Sequence, residues 1–337
     1  MATQVTTSFT DGTSSDAIQS VLNSVLLERG VFDMTATVPV MAKPMSQRTG
    51  KTMIWRRYEA LSLAKTALSE GVTPSGKAKS VTDVSATLAP YGDYIIDSDF
   101  LLNTQPEAVA VENVELLGQQ RGETMNSLYL DEWATATNIL YANGSATNAV
   151  NTVLDETDFR RALRDLRNNK AKVFTPMVDA SQKIGTGSIL PSFWCLTTPD
   201  VMFDMNDETD FITVNDYGNS NAAIAGEAGA FRRLGIRFLL TPNDGNQWTF
   251  GTGATGSTTV QESSNNAIIH SAFVIGRGAV GGVQLNIGNS KVITKGLGSS
   301  GTEDPLNQRA SFGWILYDAR EVLNQAFFTE LQGAVTS

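Results

Sequence analysis

The chain has 337 residues, an ordinary apolar content of 41% and a formal net charge of −10. That length accommodates two ordinary domains or one elongated unit, and the composition excludes disorder throughout. The acidic balance argues against a free-standing nucleic-acid binder, though not against a protein that merely encloses DNA.

The single cysteine, Cys195, lies in the apolar run Phe193-Trp194-Cys195-Leu196. It has no partner for an intrachain disulfide and reads as a small buried hydrophobe in a reducing compartment. The first residues carry neither a basic nor an apolar signal region, and no apolar run reaches membrane-spanning length. A soluble protein with no secretory signal and no membrane partner is expected.

Residues 1–15 are polar and threonine-rich and read as an arm. A short helix is expected over 16–29, with Ile18, Val21, Leu22, Val25 and Leu26 on one face. Residues 32–44 are apolar and extended, and Pro39 and Pro44 exclude a central strand. Strands follow over 52–58 (TMIWRRY) and 81–88 (VTDVSATL), the second running on through 91–96. Between them, 59–80 is rich in Ala, Ser, Gly and Lys. The pattern is a long hairpin with a broad tip and few large apolar residues. A lone two-stranded ribbon is marginal in water, so this one must lie on its own domain or on a neighbouring subunit.

The next stretch, 104–143, is a long helix with a single apolar stripe: Val111, Val114, Leu117, Met125, Leu128, Tyr129, Trp133, Ala136 and Leu140. Thr104 and Glu107 have capping-box spacing with Pro106 in the first turn, and Asn143-Gly144 marks the exit. Such a helix lies across its own domain or ties separate lobes together. Asp155 caps a further helix reaching Lys172, with Phe159, Ala162, Leu163 and Leu166 inward. Its outer face carries Arg160, Arg161, Arg164, Arg167, Lys170 and Lys172, either a solvated face balanced by Asp158 and Asp165 or a contact for phosphate or an acidic neighbour.

Beyond Val173 come short strands and turns. A buried strand is expected over 192–197, and Thr198-Pro199-Asp200 opens a short helix. Further strands are expected over 236–241, 267–275, 283–287, 292–294 and 310–317. The Gly/Thr/Ser/Asn-rich stretch 243–266 reads as a long exposed loop, and 318–331 as a closing helix.

Apparent site motifs fail on context. Gly71 to Lys77 nearly matches a phosphate-binding loop, but Ala78 lacks the hydroxyl for magnesium and no buried strand precedes it. Gly276-Arg277-Gly278-Ala279-Val280-Gly281 follows a strand but leads into another, so a tight turn is expected. His270 is the only histidine and sits mid-strand, where a structural role is expected. Asp204, Asp207, Glu208 and Asp210 lack the glycine and spacing of a calcium loop. No catalytic, metal or cofactor site is expected.

The run 304–314 (DPLNQRASFGW), continuing through Tyr317 and Ala319 to Leu323-Asn324, resembles the closing signature of the N-four-type family of tailed-phage major capsid proteins. Residues 70–76 (EGVTPSG) with Tyr91-Gly92-Asp93-Tyr94 resemble that family's extended loop. Leu116 to Gln120 with Glu123-Thr124 resembles the middle of its spine helix. Gly226-Glu227 with Gly235-Ile236-Arg237-Phe238 resembles part of its axial domain. The resemblance covers about residues 48–330.

It implies an α+β, Hong Kong 97-type capsid fold. The implied parts are an N-terminal arm (1–48), an extended two-stranded loop (49–100), a peripheral domain (101–150 and 283–337) containing the spine helix, and an axial domain (151–282). The implied role is a non-enzymatic major capsid protein of the virion, assembled in the host cytoplasm. Its copies would form hexamers and pentamers of an icosahedral shell around double-stranded DNA. A scaffolding protein, a portal and a decoration protein are the implied partners. An encapsulin-type compartment of the same fold is the alternative.

Under this reading Ile54, Trp55, Tyr91 and Tyr94 are candidates for packing on a neighbour. Arg56, Arg57 and Glu70 are candidates for ion pairs between subunits, and Lys77 lies in the same loop. The basic helix, Arg160, Arg161, Arg164, Arg167 and Lys170, is the candidate for an inward, DNA-facing or interfacial surface.

Overall fold

The computed structural model describes residues 35–46, 48, 50–104, 109–177, 188–217, 223–224, 226–241, 249–255, 260–263, 266–285, 291–299 and 304–337. The arm over 1–15, the helix over 16–29, Pro106, Glu107 and Trp248 lie outside them.

A long strand, β15 (Arg309–Val322), organises the first sheet. It pairs antiparallel with β4 (Ala89–Ser98), β13 (Val280–Leu285) and β14 (Lys291–Lys295). β1 (Met41–Met45) adds in parallel at the outer edge of β13. An edge tolerates Pro44, which has no N–H to give to a ladder. The second sheet runs β5 (Ile139–Tyr141), β16 (Phe328–Gly333), β12 (Asn266–Ile275), β6 (Phe193–Thr197), β9 (Ile236–Leu240), β8 (Glu227–Phe231), β7 (Phe211–Thr213). β10 (Thr249–Thr255) and β11 (Glu262–Ser263) also pair with β12. The strands β2 (Thr52–Tyr58) and β3 (Val81–Thr87) form a ribbon separate from both sheets.

The spine helix, Val109–Trp133, joins the two sheets through one core. Val114, Leu117, Met125, Tyr129 and Trp133 pack with Phe312, Trp314 and Leu316 of β15 and with Phe273, Ile275 and Phe328 of the second sheet. Trp133 meets Phe273 edge-on at 5.9 Å. A second core lies under the basic helix, Glu156–Asn168. Its Phe159, Ala162, Leu163 and Leu166 are buried as the spacing predicts, with Phe159 edge-on to Phe238 at 5.3 Å. The capping box is Asp155 with Asp158, and the helix ends in a left-handed residue, Lys170, at φ 58°.

Several elements differ from the sequence expectation. The spine helix stops at Trp133, and Leu140 lies in β5, which pairs in parallel with β16. Thr104 ends a short helix, Asp99–Thr104, and its hydroxyl donates to Phe100 O at 2.6 Å, while the expected capping partner Glu107 lies outside the described residues. Residues 89–98, read as the continuation of the ribbon, belong to the first sheet. The threonine-rich stretch read as loop contains β10, whose Thr249, Thr252 and Thr255 stand opposite His270, Ile268 and Asn266. β-Branched residues suit an edge strand there. The expected closing helix is instead the end of β15, a short turn and β16. Ala319, Arg320, Glu321 and Gln325 favour helix locally, but two sheets offer ladder partners, and tertiary pairing overrides weak propensity.

Several polar groups are buried in the second sheet. Arg237 and Glu227 are fully buried and bonded at two points, each 2.6 Å. Tyr217 Oη donates to the same carboxylate at 2.5 Å, and the guanidinium stacks 4.9 Å from the Trp194 ring. Glu330 accepts from Ser271 Oγ and Gln332 Nε2 at 2.7 Å each, while its Oε2 has no partner. Burial raises its pKa above the usual carboxylate range. His270 is buried with Nδ1 3.4 Å from Thr198 Oγ1, and burial lowers its pKa. The acidic patch disperses. Asp204 bonds Thr336, Glu208 accepts from Glu156 N, and Asp210 pairs with Arg233. Gly276–Gly281 is the expected tight turn, with Gly278 at φ 81°.

Two outcomes are expected. Arg237→Met leaves Glu227 buried and unpaired, so denaturant titration should show a loss of about 3–5 kcal/mol, much of it recovered by also replacing Glu227 with Leu. For Glu330 the folded pKa is raised, so its cost is absent below about pH 4.3 and grows as pH rises toward the folded value. Glu330→Gln should therefore flatten the fall in stability over that range, as read from unfolding midpoints against pH.

Candidate assembly interface

The ribbon alternates along each strand, and its two faces meet different environments. Met53, Trp55 and Arg57 on β2 share a face with Thr82, Val84 and Ala86 on β3. Met53, Trp55, Ala86 and Leu88 pack against Met45, Val283 and Ala319 of the first sheet. Arg57 Nη1 also reaches Leu323 O at 3.2 Å. The root of the ribbon is thus seated on its own chain. The opposite face has no such cover: Ile54 is 54% exposed and Tyr58 64%.

Residues 59–80 form no helix or strand and are exposed throughout. Leu61, Leu63, Leu68 and Val72 all project into solvent there. The tip is tethered only by polar contacts. Lys77 Nζ bridges to Ser62 O at 2.7 Å and Ser62 Oγ at 2.8 Å, and Glu59 accepts from Arg57 and Thr82 at 2.8 Å each. Those bonds hold the Glu59 carboxyl below its usual pKa. Gly71 adopts φ 74° at the turn, a left-handed backbone that suits glycine.

The outer face of the first sheet is a second exposed apolar area. On it Tyr94 and Ile293 flank the backbone of Gly92 and Gly313, and Ile96 is exposed on the same face. A Cβ on Gly92 would lie 2.5 Å from Trp314 O, so the pairing of β4 with β15 requires glycine there.

These positions revise parts of the sequence expectation. Ile54 and Tyr94 are exposed on faces that the chain leaves uncovered. Trp55 is half-buried within its own subunit. Tyr91 packs inward, its hydroxyl accepting from Arg320 Nη2 at 2.9 Å. Arg56 pairs across the ribbon with Asp83 at 2.8 Å, and Arg57 with Glu59 at 2.8 Å, so both form ion pairs inside the subunit. Glu70 stands exposed in the tip. Sequence spacing missed Asp83 and Glu59 as partners because the strand register decides who faces whom.

The basic helix is partly neutralised by its own surroundings. Arg160 pairs with Glu156 at 2.6 Å, Arg161 with Asp158 at 2.8 Å, and Arg167 donates to Leu234 O at 3.3 Å. Arg164 is 3.8 Å from Asp165 with its side chain 69% exposed, and Lys170 is exposed beyond the helix end.

No protein-family model and no curated protein matches the sequence. Solved structures do. The chain is similar to the capsid chain of Ralstonia phage GP4 at TM-score 0.63 and 8% identity, covering 89% of this chain and 88% of that one. It is similar to the capsid of cyanophage Pam1 at TM-score 0.58 and 11% identity, covering 91% and 93%. A third likeness is to the capsid of cyanophage P-SCSP1u, at TM-score 0.56 and 15% identity, covering 88% and 87%. At these identities the likeness is one of fold, and it spans nearly the whole of each chain. The protein has the α+β phage-capsid fold.

The two faces of the ribbon should behave differently on substitution. Ile54→Lys should leave the unfolding midpoint of the free subunit within about 0.5 kcal/mol of the parent, because it is exposed. Trp55→Ala should cost about 2 kcal/mol, since it removes part of a packed contact. Only the first should alter association without altering folding, a difference that sedimentation and thermal denaturation together resolve.

Proposed function

We propose that this chain is a major capsid subunit whose copies form the hexamers and pentamers of an icosahedral shell around double-stranded DNA. One observation carries the reading: an exposed ribbon tip with large apolar side chains and no core of its own, on a phage-capsid fold. Burying one such leucine on a neighbour contributes about 1.5–3 kcal/mol. Ordering the tip offsets part of that gain. A single contact is therefore modest, and a closed shell multiplies it.

In this reading the ribbon lies over the adjacent subunit, with Ile54, Tyr58 and the tip leucines as its apolar contacts. Charged groups of the tip, including Glu70, set register more than affinity. The basic helix contributes weakly to DNA contact, because internal partners already neutralise several of its arginines. The scaffolding protein, portal, decoration protein and assembly in the host cytoplasm come with the sequence resemblance. The encapsulin-type alternative is not favoured, since the similar solved structures named above are phage capsids.

Electron microscopy of the purified protein should show closed shells, and nuclease-protected DNA should accompany particles taken from infected cells. Deleting residues 71–79 should leave a folded subunit, by circular dichroism, that no longer closes shells. Unaltered shells from the deletion variant would overturn the role given to the tip.

A further inference from the structure

The face of the first sheet turned away from the spine helix carries a furrow. Alternation puts Tyr94 and Ile96 of β4 on that face, opposite Gly313 and Ser311 of β15. On the other side of β15 the same two residues face Ile293 and Lys295 of β14. Small residues thus floor the middle strand, between walls of larger ones on strands roughly 10 Å apart. The hollow has a volume of about 450 Å³. Tyr94, Ile96 and Ile293 all stand exposed along it.

The ribbon sits on the same face, toward the far end of β15. Its root packs on Val283 and Ala319, and Arg57 reaches past them to Leu323 O. Ser311 and Ala319 are eight positions apart, about 26 Å along a strand. From Ala89, which stands opposite Asp318, β4 leads toward the furrow. From the same point the ribbon leads the other way, toward Leu323. Tip and furrow therefore lie toward opposite ends of one face, and the chain does not fill its own furrow.

Leu61 and Leu63 of the tip are both exposed. Ser62, between them, is bonded to Lys77 of the returning arm, so the leucines are left facing out. Residues two apart in an extended chain project to one side at an interval of about 7 Å. Ser311 and Gly313 on the furrow floor have the same spacing. Glu70 of the tip and Lys295 of the furrow wall are exposed, opposite in charge and unpaired among the described residues.

We propose that the furrow over Ser311 and Gly313 seats Leu61 and Leu63 from the ribbon tip of a second copy, with Glu70 set against Lys295. This deepens the capsid reading, on which it rests for closure of the shell. Complementary parts at opposite ends of one face make the contact heterologous. Copies then join head to tail, and rings form where the rotation closes.

Paired cysteines test the contact. Leu63→Cys combined with Ser311→Cys should, in oxidised glutathione, give disulfide-linked ladders longer than two chains on non-reducing gels. Cys195 is buried and stays out of the reaction. Either new cysteine alone should link nothing. Ladders that stop at two chains, or dimers from Ser311→Cys alone, would mean that two furrows face each other, and would overturn the assignment. Leu61→Asp and Leu63→Asp should leave the thermal midpoint of the subunit unchanged and weaken association on the order of ten- to a hundredfold. Unweakened association would count against the leucines as the occupants. Glu70→Lys should impair assembly and Lys295→Glu in the same chain should restore it; no restoration would remove that pairing. Shells without ladders overturn the furrow and leave the capsid reading standing. Ladders without shells uphold the furrow and remove that reading, and the absence of both removes both.

Discussion

Three parts of the first lobe meet at one amide. Gln120, on the spine helix, accepts from the Trp314 indole N–H at 3.1 Å and donates to Asp93 at 2.7 Å. Trp314 belongs to β15 and Asp93 to β4, so a single side chain fixes the helix against two adjacent strands. The bond from Gln120 also holds the Asp93 carboxyl below its usual pKa, which keeps the acceptor charged. Nearby, Asn113 donates to the buried Asp97. These polar contacts select one rotation of the helix on the sheet, where apolar packing alone would accept several.

The same helix face continues into the second sheet through Trp133, Phe273 and Phe328. β15 and β16, joined by a short turn, make the same crossing in the backbone. The two sheets are thus connected by the helix and by two strand-to-strand crossings, β15 to β16 and β12 to β13. The ribbon forms no ladder with either sheet and is seated on the first sheet only at its root. The polar groups buried in the second sheet, Arg237 with Glu227 above all, serve uniqueness of packing more than net stability.

Much of this was legible in the residues. The 3.6-residue stripe located the body of the spine helix and the inner face of the basic helix, because most of their apolar positions meet continuous cores, Val111 being an exposed exception. β2 was legible to the residue, since alternation and flanking composition agree there. The closing segment was not. Ala319, Arg320 and Glu321 favour helix, and only their long-range register with β13 makes them extended, while Gln325–Phe327 form a single 3-10 turn before β16. The end of the spine helix was missed for a related reason: Leu140 continues the helical stripe, but it also fits β5 beside β16. On the ribbon, the sequence reading groups Ile54 with Trp55 as contacts for a neighbour, whereas the fold leaves Ile54 exposed and seats Trp55 on its own chain. The partners of Arg56 and Arg57 were not legible either, because ion pairing depends on register and is invisible to composition.

In the proposed shell, the half-seated root of the ribbon has a consequence for how copies would meet. With Trp55 and Met53 fixed on the parent sheet, the direction in which the projection leaves the body is set before any second molecule arrives. A freely swinging extension would surrender that orientational freedom at each encounter, and the penalty would recur at every position in a closed surface. A pre-aimed one surrenders only the freedom of its last residues, which favours growth at correctly angled edges over disordered clumping.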